Sequence, residues 1–182
     1  MLGRLNPEQE ILVLGKKPQV VDHFRENARI VLYNPKTRLH GVQFVKLWNL
    51  YNLLGGGVET GHTPLETAHK EIVEESGYND FSKVIQLGGQ IRCYFNEYSQ
   101  DKTLQTKIFE RLSTGFLMVL NSQRNVGTSL EDYEIATQAE CVWKTKAEIL
   151  SILEMQLKTD FSLSYHLEIF KRGVRIIEEL GL

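Results

Sequence analysis

Between Gly56 and Tyr78 the chain reads GGVETGHTPLETAHKEIVEESGY, a glycine-rich turn leading into a stretch that carries Glu71, Glu74 and Glu75. At about 100° per residue, Glu75 falls roughly 40° and Glu74 roughly 60° to either side of Glu71, so on a helix the carboxylates share an arc roughly 100° wide. Like charges at these spacings weaken a helix, and the three lie far from the N-terminal turn where the helix dipole favours acids. An all-oxygen donor set held against its own repulsion points to a hard divalent cation, Mg2+ or Mn2+. The competing reading is a solvated acidic face. Against it, Leu65, Ala68, Ile72 and Val73 form an apolar stripe beside the acids, which places them at the border of a buried surface.

The local signals fix this helix in place. Thr63 is an N-cap with Glu66 three residues on, Pro64 suits the first turn, and Gly77 is a C-terminal stop. A second pattern, GGVETGHT from Gly56 to Thr63, matches a phosphate-cradling loop except at His62, where lysine is required. Glu59 would also set a carboxylate inside that cradle, so the pattern is discounted.

The spacing from Gly56 to Tyr78 resembles the signature of the Nudix hydrolases, G-x5-E-x7-R-E-U-x-E-E-x-G-U with U aliphatic. The first glycine falls on Gly56 and the closing run on Glu71, Ile72, Glu74, Glu75, Gly77 and Tyr78. Two positions depart: His62 stands for the consensus glutamate and Lys70 for the arginine. The resemblance implies an α/β fold, an α/β/α sandwich around a mixed sheet. It also implies a pyrophosphohydrolase that uses Mg2+ or Mn2+ to cleave the diphosphate of a nucleoside diphosphate linked to another moiety. By the same resemblance Glu71, Glu74 and Glu75 are the catalytic and metal-binding acids, the Gly56 carbonyl completes the metal site, and Lys70 occupies the place of a clamping arginine. Lysine keeps the charge but loses the two-pronged donor. Glu59 could substitute for the acid missing at His62, and late-chain Glu134 or Glu140 could add a further carboxylate. The two departures also raise an alternative, a catalytically weak or inactive module that binds nucleotides or proteins.

The remaining chain supplies a scaffold. Strand-like runs occupy Ile11 to Leu14, Ala28 to Tyr33, Val42 to Trp48, Val84 to Leu87, Ile91 to Tyr94, Gly115 to Leu120 and Glu140 to Trp143. The turn signal Asn34-Pro35 makes a hairpin of the second and third. Thr145 with Glu148 begins a short helix, and a last helix from about 162 to 180 spaces Leu163, Leu167, Phe170, Val174 and Ile177 like a seam. That seam would cover its own domain or join a homodimer, and the former fits its short length better. The polar stretches Glu97 to Lys107 and Asn121 to Tyr133 read as surface loops. Trp48, Tyr51, Tyr94 and Phe95 could stack on a base, although wall or core packing is the commoner use of such rings.

With 182 residues the chain can bury a real core as one domain over 1–182, with a short N-terminal strand extension over about 1–26. A net charge of −2 shows no basic footprint for nucleic acid. Cys93 and Cys141 lack metal spacing and read as free thiols, and no signal or membrane-spanning pattern stands out, so a cytoplasmic setting without a membrane partner is expected. The other four histidines, His23, His40, His69 and His166, share no spacing.

Overall fold

Two long strands run side by side through the computed structural model, which describes residues 11–97 and 107–182. These are β2 (His23–Asn34) and β7 (Lys107–Leu120), paired in parallel from His23 and Phe109 to Tyr33 and Val119. The other strands are β1 (Leu12–Leu14), β3 (Leu39–Val45), β4 (Leu50–Asn52), β5 (Phe81–Gln86), β6 (Ile91–Glu97) and β8 (Ala139–Lys144). They form one mixed sheet in the order β1-β6-β7-β2-β3-β4, with β5 on the distal half of β7 and β8 on β3. The helices are α1 (Pro64–Ser76), α2 (Asp132–Ala136), α3 (Lys146–Leu157) and α4 (Ser164–Glu179).

Strand alternation sorts the core into two layers. Ile30 and Leu32 of β2, with Phe116, Met118 and Leu120 of β7, pack against Ala68 and Ile72 of α1. The intervening Val31, Tyr33, Leu117 and Val119 pack on the opposite face with Ile149 and Leu153 of α3 and Tyr165, Ile169 and Phe170 of α4. The result is the α/β/α sandwich with a mixed sheet that the motif implied. α4 spreads its apolar seam over this second face: Leu167, Phe170 and Ile177 are buried and Val174 is partly covered. The seam therefore serves the molecule's own core.

Several boundaries move for tertiary reasons. β2 begins at His23, earlier than the apolar run at Ala28, because the mostly polar residues 23–27 pair with β7 across a long sequence gap. The strand expected through Trp48 ends at Val45 and turns into a 3-10 segment over Lys46–Trp48, closed by Asn49 at φ 50°. β4 and α2 are too short to carry a strong periodic signal in the sequence. Residues 1–10 of the expected N-terminal extension, and most of the Glu97 to Lys107 stretch, lie outside the described residues. Cys93 and Cys141 are free. No described helix is long and apolar enough to cross a membrane.

The contact between α4 and β2 is tight enough to test. A Cβ added at Gly173 would come within 2.8 Å of Val31 Cγ2, in a layer with little room to yield. Gly173→Val should cost about 2–3 kcal/mol through overpacking, and lower Tm by roughly 4–10 °C. Calorimetry of the two proteins reads the difference.

Candidate functional site: three acids against a glycine run

The helix carrying the acids is fixed at both ends. Thr63 Oγ1 accepts from the Glu66 N–H at 3.2 Å, and Glu66 Oε2 accepts from the Thr63 N–H at 2.8 Å. Pro64 opens the helix, and Gly77, at φ 74°, closes it by donating to the Val73 carbonyl. The buried stripe is narrower than the sequence implied: Ala68 and Ile72 are fully buried, whereas Leu65 is 43% exposed. The contact centres on Ile72, and this rotates Glu75 inward.

Glu75 is 3% exposed, inside the protein and not at its border. Its Oε2 accepts from the Gly55 N–H at 2.6 Å and its Oε1 from Gln43 Nε2 at 2.6 Å. Burial pushes its carboxyl well above the ordinary range, while the Gly55 N–H and the Arg29 charge pull the other way. Gln43 Nε2 donates as well to Glu134 Oε1 at 2.8 Å, so one amide links two carboxylates. Glu134 is also buried, and its Oε2 accepts from the Glu131 N–H at 3.0 Å in a capping box that starts α2. Of the two late-chain candidates, Glu134 therefore joins the site. Glu140 faces out and pairs with Lys46 at 3.1 Å.

Glu71 lies against the glycine run itself. A Cβ on Gly56 would overlap its carboxylate, so only glycine lets the acid come so close. Its pKa is pushed up to about 7, first by burial and then by Glu74, against the pull of Arg29 and Lys70. Among the described residues no donor satisfies its oxygens. The Gly56 carbonyl accepts from the Ala28 N–H at 3.0 Å and keeps one lone pair. On the other flank of the run, Arg29 donates to the Gly55 carbonyl, and a Cβ on Gly57 would overlap the Arg25 guanidinium. The glycines thus separate carboxylates on α1 from guanidinium groups on β2.

Lys70 reaches outward, donating to Glu59 Oε1 at 3.0 Å and standing 4.0 Å from Glu74. His62 is exposed and 3.9 Å from Glu59. Lys70, Glu59 and His62 therefore form a surface chain that meets the site at Glu74. The aromatic candidates lie elsewhere. Trp48 is exposed, Tyr94 is buried, Tyr51 stacks on Phe44 at 4.5 Å, and Phe95 stacks on Phe109 at 5.7 Å. His166 Nδ1 accepts from the Leu53 N–H at 3.1 Å, and His40 is a core residue whose pKa burial and Lys146 lower to about 4. Three site residues escaped the motif: Gln43, Arg29 and Arg25. For Gln43 and Arg29 the available signal was a polar side chain interrupting an apolar strand run, whereas Arg25 sits in a polar stretch with no such signal.

The donor chemistry suits a hard divalent ion. Glu71, Glu74, Glu75 and the Gly56 carbonyl offer oxygen alone, and a cation would offset the burial that raises Glu71 and Glu75. The side chains do not close into a cluster of three ligands among the described residues. Glu75 turns to Gly55 and Gln43, Glu74 leans toward Lys70, and Glu71 faces Gly56.

A family model for the NUDIX domain matches residues 23–151, well over half of the chain. The chain belongs to the Nudix family. As a Nudix hydrolase it acts on acid anhydrides of phosphorus, and the matched span contains the glycine run, the α1 acids, Gln43 and Glu134. Solved structures similar to this Nudix chain include the MutT protein from Bacillus halodurans, with 16% identity over 70% of this chain and 72% of that one and a TM-score of 0.47. A NUDIX hydrolase from Nitrosomonas europaea shows 13% identity over 82% and 89%, at TM-score 0.47. The dihydroneopterin triphosphate pyrophosphohydrolase of E. coli shows 13% identity over 81% and 92%, at TM-score 0.49. No curated protein matches.

The raised Glu71 pKa couples the stability of this Nudix domain to pH. A folded pKa near 7 against an ordinary 4.5 means the native state holds the proton more tightly. The resulting penalty is absent below pH about 4.5 and grows as pH rises through about 7. In chelator, Glu71→Gln should be more stable than the parent by about 1–2 kcal/mol at pH 8, after discounting for solvent screening, and no different at pH 4. Denaturant titration at the two pH values measures both.

Proposed function

We propose that the chain is a Mg2+- or Mn2+-dependent pyrophosphohydrolase that cleaves the diphosphate of a nucleoside diphosphate joined to another moiety, with residues 1–182 acting as a single domain. The observation that supports this most strongly is the packing of Glu71 against Gly56 while Glu75 is tied to Gly55 and Gln43. Reactive carboxylates and a backbone carbonyl then face the same short glycine run.

In this reading Glu71, Glu74, Glu75 and the Gly56 carbonyl would hold the metal, which when bound would neutralise diphosphate oxygens and ease deprotonation of the attacking water. Gln43 orients Glu75 and keeps Glu134 beside it, because one amide nitrogen donates to both buried carboxyl groups. Glu71, whose oxygens are unclaimed among the described residues, is placed to accept the proton of the attacking water. Arg29 and Arg25 flank the run with positive charge where an anionic substrate would lie. Water oxygen bonds to one phosphorus, the bridging P–O bond breaks, and the bridging oxygen leaves with the second phosphoryl group. Lys70 acts on Glu74 from the surface, a positioning role through charge.

Turnover of nucleotide sugars, dinucleotides and nucleoside triphosphates with Mg2+ or Mn2+ tests the proposal. Release of a phosphomonoester product is expected, and Glu75→Gln should lower kcat by about 100-fold or more. Ligand-induced stabilisation without any product would instead identify a binding module. A second measurement concerns Gln43. Gln43→Leu leaves Glu75 and Glu134 without their shared donor, and kcat should fall by about tenfold or more while circular dichroism stays unchanged.

A further inference from the structure

A cleft of about 840 Å3 opens between β6, the residues following β1, and the turn joining α3 to α4. Its walls carry the cations Lys16, Arg111 and Lys158, the acid Asp160, and the rings of Phe95 and Phe161. Asp160 is already engaged, since its Oδ1 accepts from the Ser162 N–H at 2.8 Å. Among the described residues no carboxylate lies within salt-bridge distance of the three cations. The cleft is therefore net positive, partly aromatic and large enough for a nucleotide-sized group.

Arg111 is held in place. It donates to the Tyr165 hydroxyl at 2.8 Å, and its guanidinium carbon lies 5.1 Å from the Phe95 ring centroid and 5.3 Å from that of Tyr165. The bond to Tyr165 uses one of five N–H donors, which leaves several for an acceptor in the cleft.

Strand register connects this cleft to the glycine run. Arg111 of β7 pairs with Arg25 of β2 in the parallel ladder, where neighbouring strands lie about 4.8 Å apart. Arg25 in turn packs against Gly57. Alternation carries Arg25, Asn27 and Arg29 to the same face as Val31, and Arg111 and Ser113 to the same face as Leu117. Between the two ends, Asn27 and Ser113 are register partners, 1% and 0% exposed. The Asn27 amide atoms, Ser113 Oγ and Arg29 Nε have no hydrogen-bond partner among the described residues. Buried polar atoms of this kind are expected to find partners. Here they form a strip running from the glycine run toward the cleft.

We infer that the cleft receives the part of the substrate remote from the cleaved diphosphate, and that this part is an aromatic group bearing a phosphate of its own. This rests on the pyrophosphohydrolase reading. The three cations, which meet no carboxylate among the described residues, call for more negative charge than the diphosphate supplies, because in that reading the diphosphate is taken up at Gly56 and Arg29. Phe95 and Phe161 offer apolar contact to a ring.

The test compares a dinucleotide with its counterpart carrying one extra ribose phosphate, NADH and NADPH, using the full chain with Mg2+. Lys16 and Lys158 are exposed, so the double variant K16E/K158E leaves the core and the glycine run intact. The parent should favour NADPH by about tenfold in kcat/KM, and the variant should raise KM for NADPH by about tenfold with kcat unchanged and NADH altered less than about twofold. Equal use of the two dinucleotides by both proteins would overturn the inference. Calorimetric titration with adenosine 2′,5′-bisphosphate in chelator reads the cleft separately from turnover. If neither dinucleotide is hydrolysed, the pyrophosphohydrolase reading of these substrates fails, while binding weakened about tenfold in the variant still supports the cleft as a site for a phosphorylated aromatic group. No binding, or binding unchanged in the variant, overturns it.

Discussion

The site depends on a carboxylate that the fold buries and then satisfies. An ionised Glu75 inside the protein is costly unless its oxygens are hydrogen-bonded, and the two donors that meet it come from separate places in the chain, the Gly55 N–H and the Gln43 amide. That requirement joins α1 to the glycine run on one side and to β3 on the other. Through the second acceptor of Gln43 it also brings in α2 and Glu134. Three elements distant in sequence are thereby fixed around one acid, and the position of Glu71 against Gly56 follows from the same docking of α1.

The sandwich makes this docking stable. Ile72 and Ala68 seat α1 on Ile30, Leu32 and Met118 of the central strands, and α3 and α4 close the opposite face. A glycine run paired to β2 then lies between a helix of acids and a strand of guanidinium groups. In the proposed reading, Arg25 and Arg29 draw in substrate phosphates on one side of the glycine run while the acids of α1 act from the other. The charges are arranged in advance, so less reorganisation is needed when an anionic substrate enters.

What the sequence shows of this is uneven. The acids of α1 were legible because helical periodicity is a local property and Thr63, Pro64 and Gly77 mark the ends. The sandwich was legible through the motif and the order of strands and helices. The depth of Glu75 was hidden, since an acid beside an apolar stripe looks the same whether it edges a cleft or enters the core, and only the rotation set by Ile72 decides. Gln43, Arg29 and Arg25 were hidden for another reason. Their partners are Glu75, the Gly55 carbonyl and Gly57, reached across the sheet at separations that no window of sequence spans. Glu134 could be named from sequence but not separated from Glu140. The distinction lies in the capping box that turns Glu134 inward and in the salt bridge that keeps Glu140 on the surface.

The most direct measurement is a crystal structure with Mn2+ and a non-hydrolysable nucleoside diphosphate analogue, read by anomalous scattering. Manganese coordinated by Glu71 and the Gly56 carbonyl together with Glu74 or Glu75, and bound to the diphosphate oxygens, is the expected result. Manganese absent from α1, or a diphosphate seated away from the glycine run, would contradict it.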